Sequence, residues 1–327
     1  MLAALAAAPA EAKVTRYLTG NPADVHPPLF GPAHNLGGGG ADVDDALQWL
    51  IDQVRGCASC PATVDVVVLR ASGADGYNEY IQAMNGVDSV ETLVITRPRN
   101  AEFPEVEATI RNAEVVFFAG GDQCNYVFNF KGTAVERAVK SVYVRGGGVG
   151  GTSAGLAVQG EFVFDACRGT ILSEEALEDP YNRRLSFTYD FFDWAFLDRV
   201  ITESHFTERD RMGRAMTFLA RQIQDGRGDT ALAVAVDERT SVVVDRGGLA
   251  RVIGEGSAYF ILADHVPEVC QPRTPLTYSN FKIWRVDPGG RFDLRNRPRT
   301  GYYLRSVDAG VITQDPYESR TRTRASR

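Results

Sequence analysis

The sequence predicts an α/β protein with a doubly wound, mostly parallel sheet and an antiparallel β extension toward its C-terminal end. The first observation is that apolar runs typical of buried parallel strands, at residues 64–69, 90–95 and 113–119, alternate with segments of helical periodicity. The second is a later change of pattern, where short β runs are separated by turn signals such as residues 246–248 and 288–290. In such sheets ligands bind at the carboxyl ends of the parallel strands, so functional residues are sought there.

The bulk composition limits what the chain can be. Its 327 residues are 44% hydrophobic, which is enough for one large domain with an ample core. The net charge of −7 argues against a nucleic-acid partner, because proteins that bind nucleic acid present basic surfaces. No apolar run approaches the roughly 18 residues that a membrane-spanning helix needs, so we expect no membrane-spanning segment.

The two ends of the chain differ from the rest. Residues 1–12 resemble the apolar core and small-residue cleavage region of a secretory signal, although the usual basic start is missing. We therefore expect a secreted or periplasmic protein, and an alanine-rich end of a cytoplasmic protein stays open as the alternative. Residues 13–312 are expected to form a single domain, and residues 313–327, which are polar and basic, a mobile tail.

The chain has five cysteines, of which Cys57 and Cys60 have the C-x-x-C spacing of a redox or metal pair. No second pair and no nearby histidine completes a metal site, so we expect no metal and no cofactor. In an exported protein a loop disulfide between these two residues is the milder interpretation. The others are Cys124, Cys167 and Cys270, and since the number is odd, at least one thiol stays free unless a bond forms between molecules.

A G-x-S-x-G pattern at residues 151–155 is the centre of the functional prediction. The β-rich run at residues 142–144 predicts a preceding strand, and residues 156–158 are compatible with a following helix. This strand–turn–helix setting is typical of a nucleophile elbow, in which glycines permit strained backbone angles and close packing. Ser153 is then the candidate nucleophile, and the N–H of Ala154 faces the group that the serine attacks. A Gly/Ser-rich structural turn is the alternative.

A serine nucleophile needs a base, and the chain has only four histidines. His26 and His34 lie in a Pro/Gly-rich segment and are read as loop residues. His205 ends a strand-like run at residues 200–204 and precedes a helix predicted from Arg209 to about residue 224. This position suits a base, and a capped helix start with solvated arginines is the alternative.

The glycine run at residues 37–40 precedes a predicted helix whose first turn is acidic. A glycine-rich loop at a helix start can bind phosphate, but acidic residues there repel an anion. We therefore expect a structural loop beside the active site.

Three stretches together resemble a known family. They are Ala119-Gly120-Gly121-Asp122-Gln123, then Gly150-Gly151-Thr152-Ser153-Ala154-Gly155, then Ser204-His205-Phe206 followed by Arg209, Arg211 and Arg214. In this order they resemble the serine peptidases that include cyanophycinase and the aspartyl dipeptidases (peptidase E), and the arginine-rich stretch is closest to cyanophycinase. The resemblance covers residues 64–256 and implies a fold like that of class I glutamine amidotransferases, which is flavodoxin-like.

The resemblance also implies a catalytic triad. Ser153 is the nucleophile, His205 the base, and the acid is expected between them in sequence. Glu175 is the choice for the acid, and Glu174 and Asp165 stay open. The acid would hold the imidazole in the tautomer whose free nitrogen faces the serine.

Further roles are carried over from the same motifs. The N–H groups of Gly121 and Ala154 would form the oxyanion hole. Gln123 would bind substrate. The side chains of Arg209, Arg211 and Arg214 are candidates to hold a substrate carboxylate, because a planar guanidinium binds carboxylate bidentately. Glu203 is a candidate to accept a cationic group, with a solvated carboxylate as the alternative.

The implied function is a serine-type exopeptidase that hydrolyses aspartyl or β-aspartyl bonds, with acidic or Asp-Arg peptides as substrates. We expect a homodimer. Glu203 and Ser204 stand where cyanophycinase usually has aspartate and glutamine, and the insert at residues 164–192 is long, which leaves the substrate open. The alternatives are an α/β-hydrolase esterase that uses His265 as its base, and a catalytically silent binding protein of the same fold.

Overall fold

The computed structural model of the protein describes residues 14–317. The signal-like segment at residues 1–12 lies outside the described residues, as does most of the expected tail. In the described part of the chain, no helix is long and apolar enough to cross a membrane.

Residues 14–317 form eighteen strands and eight α-helices. The first nine strands are β1 (Thr15–Gly20), β2 (Ala33–Gly37), β3 (Val64–Arg70), β4 (Val87–Val94), β5 (Val115–Phe118), β6 (Gly148–Thr152), β7 (Phe162–Phe164), β8 (Phe187–Tyr189) and β9 (Val200–Glu203). The other nine are β10 (Ala231–Val236), β11 (Thr240–Val244), β12 (Leu249–Gly254), β13 (Ala258–Ala263), β14 (Val269–Gln271), β15 (Thr274–Val286), β16 (Arg291–Asp293), β17 (Tyr303–Asp308) and β18 (Val311–Ile312).

The helices are α1 (Asp44–Arg55), α2 (Asn78–Gln82), α3 (Pro104–Asn112), α4 (Gln123–Phe130), α5 (Ala134–Val144), α6 (Ala154–Ala157), α7 (Ser173–Glu178) and α8 (Met212–Gln224). A 3₁₀ turn at Pro98–Glu102 precedes α3.

The first sheet has the strand order β1-β4-β3-β5-β6-β2-β11-β12-β16. Its centre, from β4 to β2, is parallel, and the strands at both edges are antiparallel. Of these central strands, β3 and β5 are buried along almost their whole length and rich in valine, as strands covered on both faces are. Their carboxyl ends therefore meet at one edge.

The second sheet has the order β18-β17-β15-β13-β10-β9-β7-β8, with β14 paired to β15. Strands β7, β9 and β10 run parallel to one another, and the strands from β13 onward are antiparallel. The two sheets share one hydrophobic core, which includes Leu36 and Val149 of the first sheet and Val234 and Phe260 of the second.

Helices cover the outer faces. Leu50 and Val54 of α1 pack with Val66 and Val68 of the first sheet, and Met216 of α8 packs with the second sheet. The apolar residues of these helices recur at helical spacing, so burial of one face stabilises each helix against its sheet.

The expected α/β class with a large parallel-containing sheet is confirmed. The flavodoxin-like assignment stays a prediction. The predicted antiparallel β extension is divided between the two sheets. Strands β11, β12 and β16 extend the first sheet, and the remaining strands after β9 belong to the second.

The strand predicted at residues 142–144 is wrong. Val142 and Tyr143 lie in the last turn of α5, where they are buried, and the strand before the elbow is the glycine-rich β6. Tertiary packing overrides β propensity here. An added Cβ on Gly148 would lie 2.9 Å from Val54 Cγ2 of α1, so the glycines of β6 let this helix approach the sheet.

The expected tail is described only as far as residue 317. In that part the Thr313 N–H donates to the Ser306 carbonyl, and the Tyr317 hydroxyl accepts from the Met212 N–H and donates to Asp210. The described start of the tail therefore packs on the domain.

Candidate active site

Ser153 lies on the sharp turn between β6 and α6, at the carboxyl edge of the first sheet. Its φ is +55°, a left-handed conformation that a non-glycine residue rarely adopts and that is common at functional sites. A Cβ on Gly155 would overlap the backbone of Phe118, and one on Gly151 would overlap Gly155. Close backbone packing therefore requires both glycines of the G-x-S-x-G pattern.

His205 follows β9, at the corresponding edge of the second sheet. The Ser153 Oγ is 2.7 Å from the His205 Nε2, so the serine has its base within hydrogen-bond reach. The N–H of His205 donates to the carbonyl of Gly38, and the N–H of Ser153 donates to the carbonyl of Gly37. The glycine run at residues 37–40 thus lies beside the active site, as expected, and holds both backbones.

The second nitrogen of the imidazole is bound by a carboxylate. The His205 Nδ1 is 2.6 Å from the Glu238 Oε1. Glu238 lies in the short link between β10 and β11, and its own N–H donates to Glu208. With the Nδ1–H donated to Glu238, the unprotonated Nε2 faces the serine, which is the tautomer that a general base requires.

The electrostatics favour a neutral imidazole. Burial is the main cause that lowers the pKa of His205 below its ordinary value of 6.5; the hydrogen bond to Glu238 opposes this, and the charge of Arg209 adds to it. The hydrogen bond to His205 is the main cause that lowers the pKa of Glu238. The carboxylate is therefore ionised and the base is free at neutral pH.

The prediction of Glu175 as the acid is wrong. Its carboxylate accepts the N–H of Leu172 at the start of α7 and forms an ion pair with Arg184 at 2.8 Å. Asp165, a second candidate, accepts hydrogen bonds from the hydroxyls of Ser186 and Thr188. The carboxylate that binds His205 Nδ1 is instead that of Glu238, which comes after the histidine in sequence.

The sequence contains a partial signal for Glu238, which depends on the pairing of β9 with β10. Glu238 follows the apolar run of β10, which comes directly after the strand and helix that contain His205. Strands β9 and β10 are parallel neighbours, with Glu203 opposite Ala235, so both strands end at the same edge. The expectation that the acid must precede the histidine excluded this residue.

The expected oxyanion residues lie on either side of the nucleophile. Ala154 begins α6, and Gly121 lies in the turn after β5. An added Cβ on Gly120 would lie 3.7 Å from the Ser153 Cβ, so this turn borders the serine. The N–H of Gly121 has no acceptor among residues 14–317 and is free for a ligand.

Gln123 is the first residue of α4, and its Nε2 is 3.4 Å from the carbonyl oxygen of Phe164. A disulfide joins the next residue, Cys124, to Cys167, with a Cα–Cα distance of 4.9 Å. No pairing of these two cysteines was predicted from the sequence. Cys57 and Cys60 form the other disulfide, as in the milder interpretation of their spacing, and Cys270 is free and buried.

Glu203 does not face the site as a free carboxylate. It is 4% exposed and lies between two arginines. Arg214 binds it bidentately, through Nε at 2.9 Å and Nη2 at 2.6 Å, and Arg211 contributes Nη1 at 2.9 Å. Burial raises the pKa of Glu203, but the two guanidinium charges outweigh it and the pKa is lowered.

The expected substrate roles of Glu203, Arg211 and Arg214 therefore need correction. Arg214 is 3% exposed and also donates to Thr170 and Ile171, so its donors are used inside the protein. Burial lowers the pKa of Arg211 to about 10. The physical reason is that a buried carboxylate must be paired, and Glu203 takes its partners from these two arginines inside the protein.

Arg209 is different from the other two arginines. It is exposed, it precedes α8, and its side chain has no hydrogen bond or ion pair with the described residues 14–317. Its charge acts on both His205 and Glu238, which places it near the catalytic pair. It is the one arginine of the motif whose guanidinium is free for a substrate.

His265 is remote from this chemistry. Its Nδ1 is 3.1 Å from Asp264 and 3.3 Å from the Tyr278 hydroxyl, on the second sheet. The serine has His205 as its partner instead, so the esterase alternative has no support from the geometry. Among residues 14–317, no group of three or more His, Cys, Asp or Glu side chains could hold a metal ion.

Comparisons with known proteins identify relatives of the chain. No family model matches it. Over 218 residues it is 28% identical to the cyanophycinases of Nostoc sp. and Trichormus variabilis, which covers 65% of this chain and 67% of each relative. The cyanophycinase of Synechococcus elongatus is 25% identical over 215 residues, 64% of this chain and 62% of that relative.

A solved structure shows a related fold. The crystal structure of a peptidase from an acI-B1 Actinobacterium superposes with a TM-score of 0.55 at 16% identity, covering 82% of this chain and 98% of that one. The sequence relatives support the family that the three motifs indicate.

Proposed function

We propose that this chain, a relative of the cyanophycinase/peptidase E-like proteins, is a serine-type exopeptidase that hydrolyses aspartyl or β-aspartyl bonds. The observation that carries the proposal is the series of two hydrogen bonds from Ser153 through His205 to Glu238. The cyanophycinase relatives support a peptidase function. A catalytically silent protein would have no need to hold two catalytic residues at left-handed backbone angles.

Acylation begins at the serine. The His205 Nε2 removes the proton as Ser153 Oγ attacks the carbonyl carbon of the scissile bond, and a C–O bond forms. The imidazolium that results is stabilised by the ionised Glu238 at Nδ1. This carboxylate does not itself take the proton.

The negative charge that forms on the carbonyl oxygen needs donors. The N–H groups of Gly121 and Ala154 flank Ser153 and would supply them. The intermediate then collapses, His205 gives its proton to the leaving amine, and the C–N bond breaks. A water molecule repeats the sequence on the acyl-enzyme, with His205 again as base, and restores the free serine.

Recognition of the substrate falls to the residues that are not used internally. Arg209 offers an unpaired guanidinium for a substrate carboxylate, which suits an acidic residue or a chain-terminal carboxylate. Gln123 has one weak hydrogen bond and follows Gly121 in the turn that borders the serine. An Asp-Arg unit with an exposed carboxylate fits this arrangement. The two disulfides support an oxidising compartment. The homodimer stays a prediction, to be tested by light scattering.

The test is hydrolysis of β-Asp-Arg and α-Asp-Arg dipeptides, with cyanophycin as a polymeric substrate. We expect Ser153→Ala to abolish release of arginine, and His205→Ala to lower turnover by roughly three orders of magnitude or more. A fluorophosphonate should label Ser153 in the wild type and in no variant that lacks the serine hydroxyl.

His265→Ala is the matched control, because it removes the histidine on which the esterase alternative depends. It should leave turnover within about twofold of the wild type, as a surface substitution away from the site does. Loss of activity in His265→Ala together with retained activity in His205→Ala would move the protein to the esterase class.

A further inference from the structure

The Cys124–Cys167 disulfide joins two segments that border the nucleophile. Cys124 comes directly after the turn at residues 120–123, which we call the oxyanion turn. Cys167 follows β7 in the long insert between Ser153 and His205. The contact of Gln123 with the Phe164 carbonyl joins the same two segments.

The oxyanion turn has little packing of its own. Gly121 has φ +153°, and an added Cβ there would meet no atom within 4 Å. Asp122 caps α4 by accepting the Cys124 N–H at 2.9 Å, and Tyr126 ties α4 inward through the Ala119 carbonyl at 2.7 Å. On the outer side, the disulfide and the longer contact of Gln123 with the Phe164 carbonyl connect it to the insert.

The insert, in contrast, is anchored at both ends of the segment that includes Cys167. Before it, the buried Asp165 accepts the hydroxyls of Ser186 and Thr188 and the Cys167 N–H. After it, the side chain of Arg214 holds Thr170 and Ile171. The insert is therefore held in place by its own hydrogen bonds, and the disulfide links the oxyanion turn to it.

We propose that the Cys124–Cys167 disulfide positions the oxyanion turn and Gln123, so that the enzyme reaches full activity only in its oxidised form. The inference rests on the proposed function for its substrate. Small displacements of a catalytic group cost rate steeply, by up to about a hundredfold for about 1 Å. Because α4 keeps its inner contacts without the disulfide, we expect a loss of about tenfold.

The redox step is an ordinary thiol–disulfide exchange. A dithiol such as dithiothreitol gives two electrons and two protons to the Sγ–Sγ bond, leaves two cysteine thiols, and is itself oxidised to a cyclic disulfide. Cys167 is exposed and Cys124 half-buried, so the bond is open to the reagent. Burial raises the pKa of the free thiol of Cys270 to about 12, so this residue does not take part in the exchange.

The experiment compares the wild type with Cys124→Ala/Cys167→Ala, before and after reduction by dithiothreitol, well below the melting temperature of each protein. Two rates are measured. One is kcat/KM for β-Asp-Arg, and the other is the rate at which a small fluorophosphonate modifies Ser153. Both reactions develop charge at the same oxygen site, so both should fall about tenfold in the variant and in the reduced wild type.

Cys57→Ala/Cys60→Ala is the matched control, because it removes the other half-buried disulfide, which follows α1. Both rates should equal those of the wild type in this variant. On reduction, both should fall about tenfold, as in the wild type. Reoxidation should restore the wild type, and reduction should have no effect on Cys124→Ala/Cys167→Ala.

The two rates separate the possible failures. If the oxidised wild type does not cleave the dipeptide, the proposed function fails, and the fluorophosphonate rate still tests the disulfide. If that rate is the same with and without the Cys124–Cys167 bond, in protein shown to be folded by near-UV circular dichroism, the positioning role is refuted.

Discussion

Gly39 lies directly against the imidazole of His205. An added Cβ at this glycine would be 2.6 Å from the Nε2 that faces Ser153, and the residue has φ +95°. The ring of the base is therefore packed against bare backbone, in a space that only a glycine leaves open. The neighbouring carbonyl of Gly38 binds the His205 N–H, so one short run fixes both the backbone and the ring.

We expect Gly39→Ala to inactivate the enzyme while the protein stays folded. The new methyl group would push the imidazole away from Ser153, and a displacement of this size should lower kcat by roughly a hundredfold or more. The measurement is kcat for β-Asp-Arg together with the thermal unfolding midpoint.

Gly289→Ala is the control for the cost of placing alanine at a positive φ without a steric contact. Gly289 also has a positive φ, +82°, but its Cβ would meet no atom within 4 Å. Both variants should lose about 1 kcal/mol of stability or somewhat more, as alanine does in a left-handed position. Equal activity in the two variants would show that contact with His205 has no consequence.

Glu238→Gln should lower kcat by about two to four orders of magnitude. The amide keeps a similar shape, but it no longer stabilises the imidazolium, and it can bind the wrong tautomer. Glu175→Gln is the control and should change kcat less than about twofold. A larger fall in kcat for Glu175→Gln than for Glu238→Gln would show that Glu175, on α7, is the triad acid.

The pH profile gives a second readout of the same pair. A base must be neutral to act, so activity is lost as pH falls through the folded pKa of His205, which lies below 6.5. The hydrogen bond to Glu238 raises this pKa, so Glu238→Gln should move the acidic limb of kcat/KM to still lower pH. A limb that stays in place would mean that Glu238 does not act on His205.

Arg214→Ala should act on stability rather than on substrate binding. It leaves the buried carboxylate of Glu203 with Arg211 alone, and breaking a buried ion pair costs about 3–5 kcal/mol of the free energy of unfolding. Urea unfolding measures this loss.

Arg209→Ala is the matched substitution on the exposed side. It should leave the free energy of unfolding within about 0.5 kcal/mol of the wild type. It should raise KM for a peptide with a free carboxylate by about tenfold or more, the scale of a charge-assisted hydrogen bond. The amide of the same peptide should show no such rise. A KM effect in Arg214→Ala at unchanged stability would restore the role first expected of that residue.

Glu114 should make stability depend on pH. Burial raises the pKa of this carboxyl to about 7 from 4.5, against the opposing contacts of the Asp65 N–H and Arg145. The folded protein thus holds this proton more tightly than the unfolded chain. Its contribution to stability is complete below pH 4.5 and is lost as pH rises to about 7, which amounts to at most about 3 kcal/mol.

The measurement is urea unfolding of the wild type and Glu114→Gln at pH 5 and pH 8. Relative to the variant, the wild type should be less stable at pH 8 than at pH 5. Glu79→Gln, at an exposed position of α2, should follow the wild type. If the free energy of unfolding depends on pH identically in the wild type and in Glu114→Gln, this carboxyl does not contribute to that dependence.

Local patterns in the sequence were enough to find Ser153 and His205. The elbow depends on glycines next to the serine, whose reason is local backbone packing, and a strand end predicts where His205 lies. The alternation of strands and helices likewise predicts the parallel sheet. These features are set by residues close together in the chain.

Glu238 and the ion cluster around Glu203 could not be found in this way. The acid is brought to His205 by the parallel pairing of β9 with β10, which is a tertiary contact. Similarly, three arginines at short spacings look equivalent in sequence, and only burial separates Arg214 from Arg209. The strand expected at residues 142–144 failed for the same reason, because packing of α5 overrides local propensity.

The triad is divided between the two sheets. Ser153 follows β6 of the first, His205 follows β9 of the second, and Glu238 lies in the link from β10 to β11 where the chain passes from one sheet to the other. During biosynthesis, a nascent chain that has emerged only as far as α6 has a nucleophile with no base. We therefore expect the site to be complete only once β11 has joined the first sheet. Truncated chains that end before Thr240 should accordingly leave Ser153 unlabelled by a fluorophosphonate, while full-length chains are labelled.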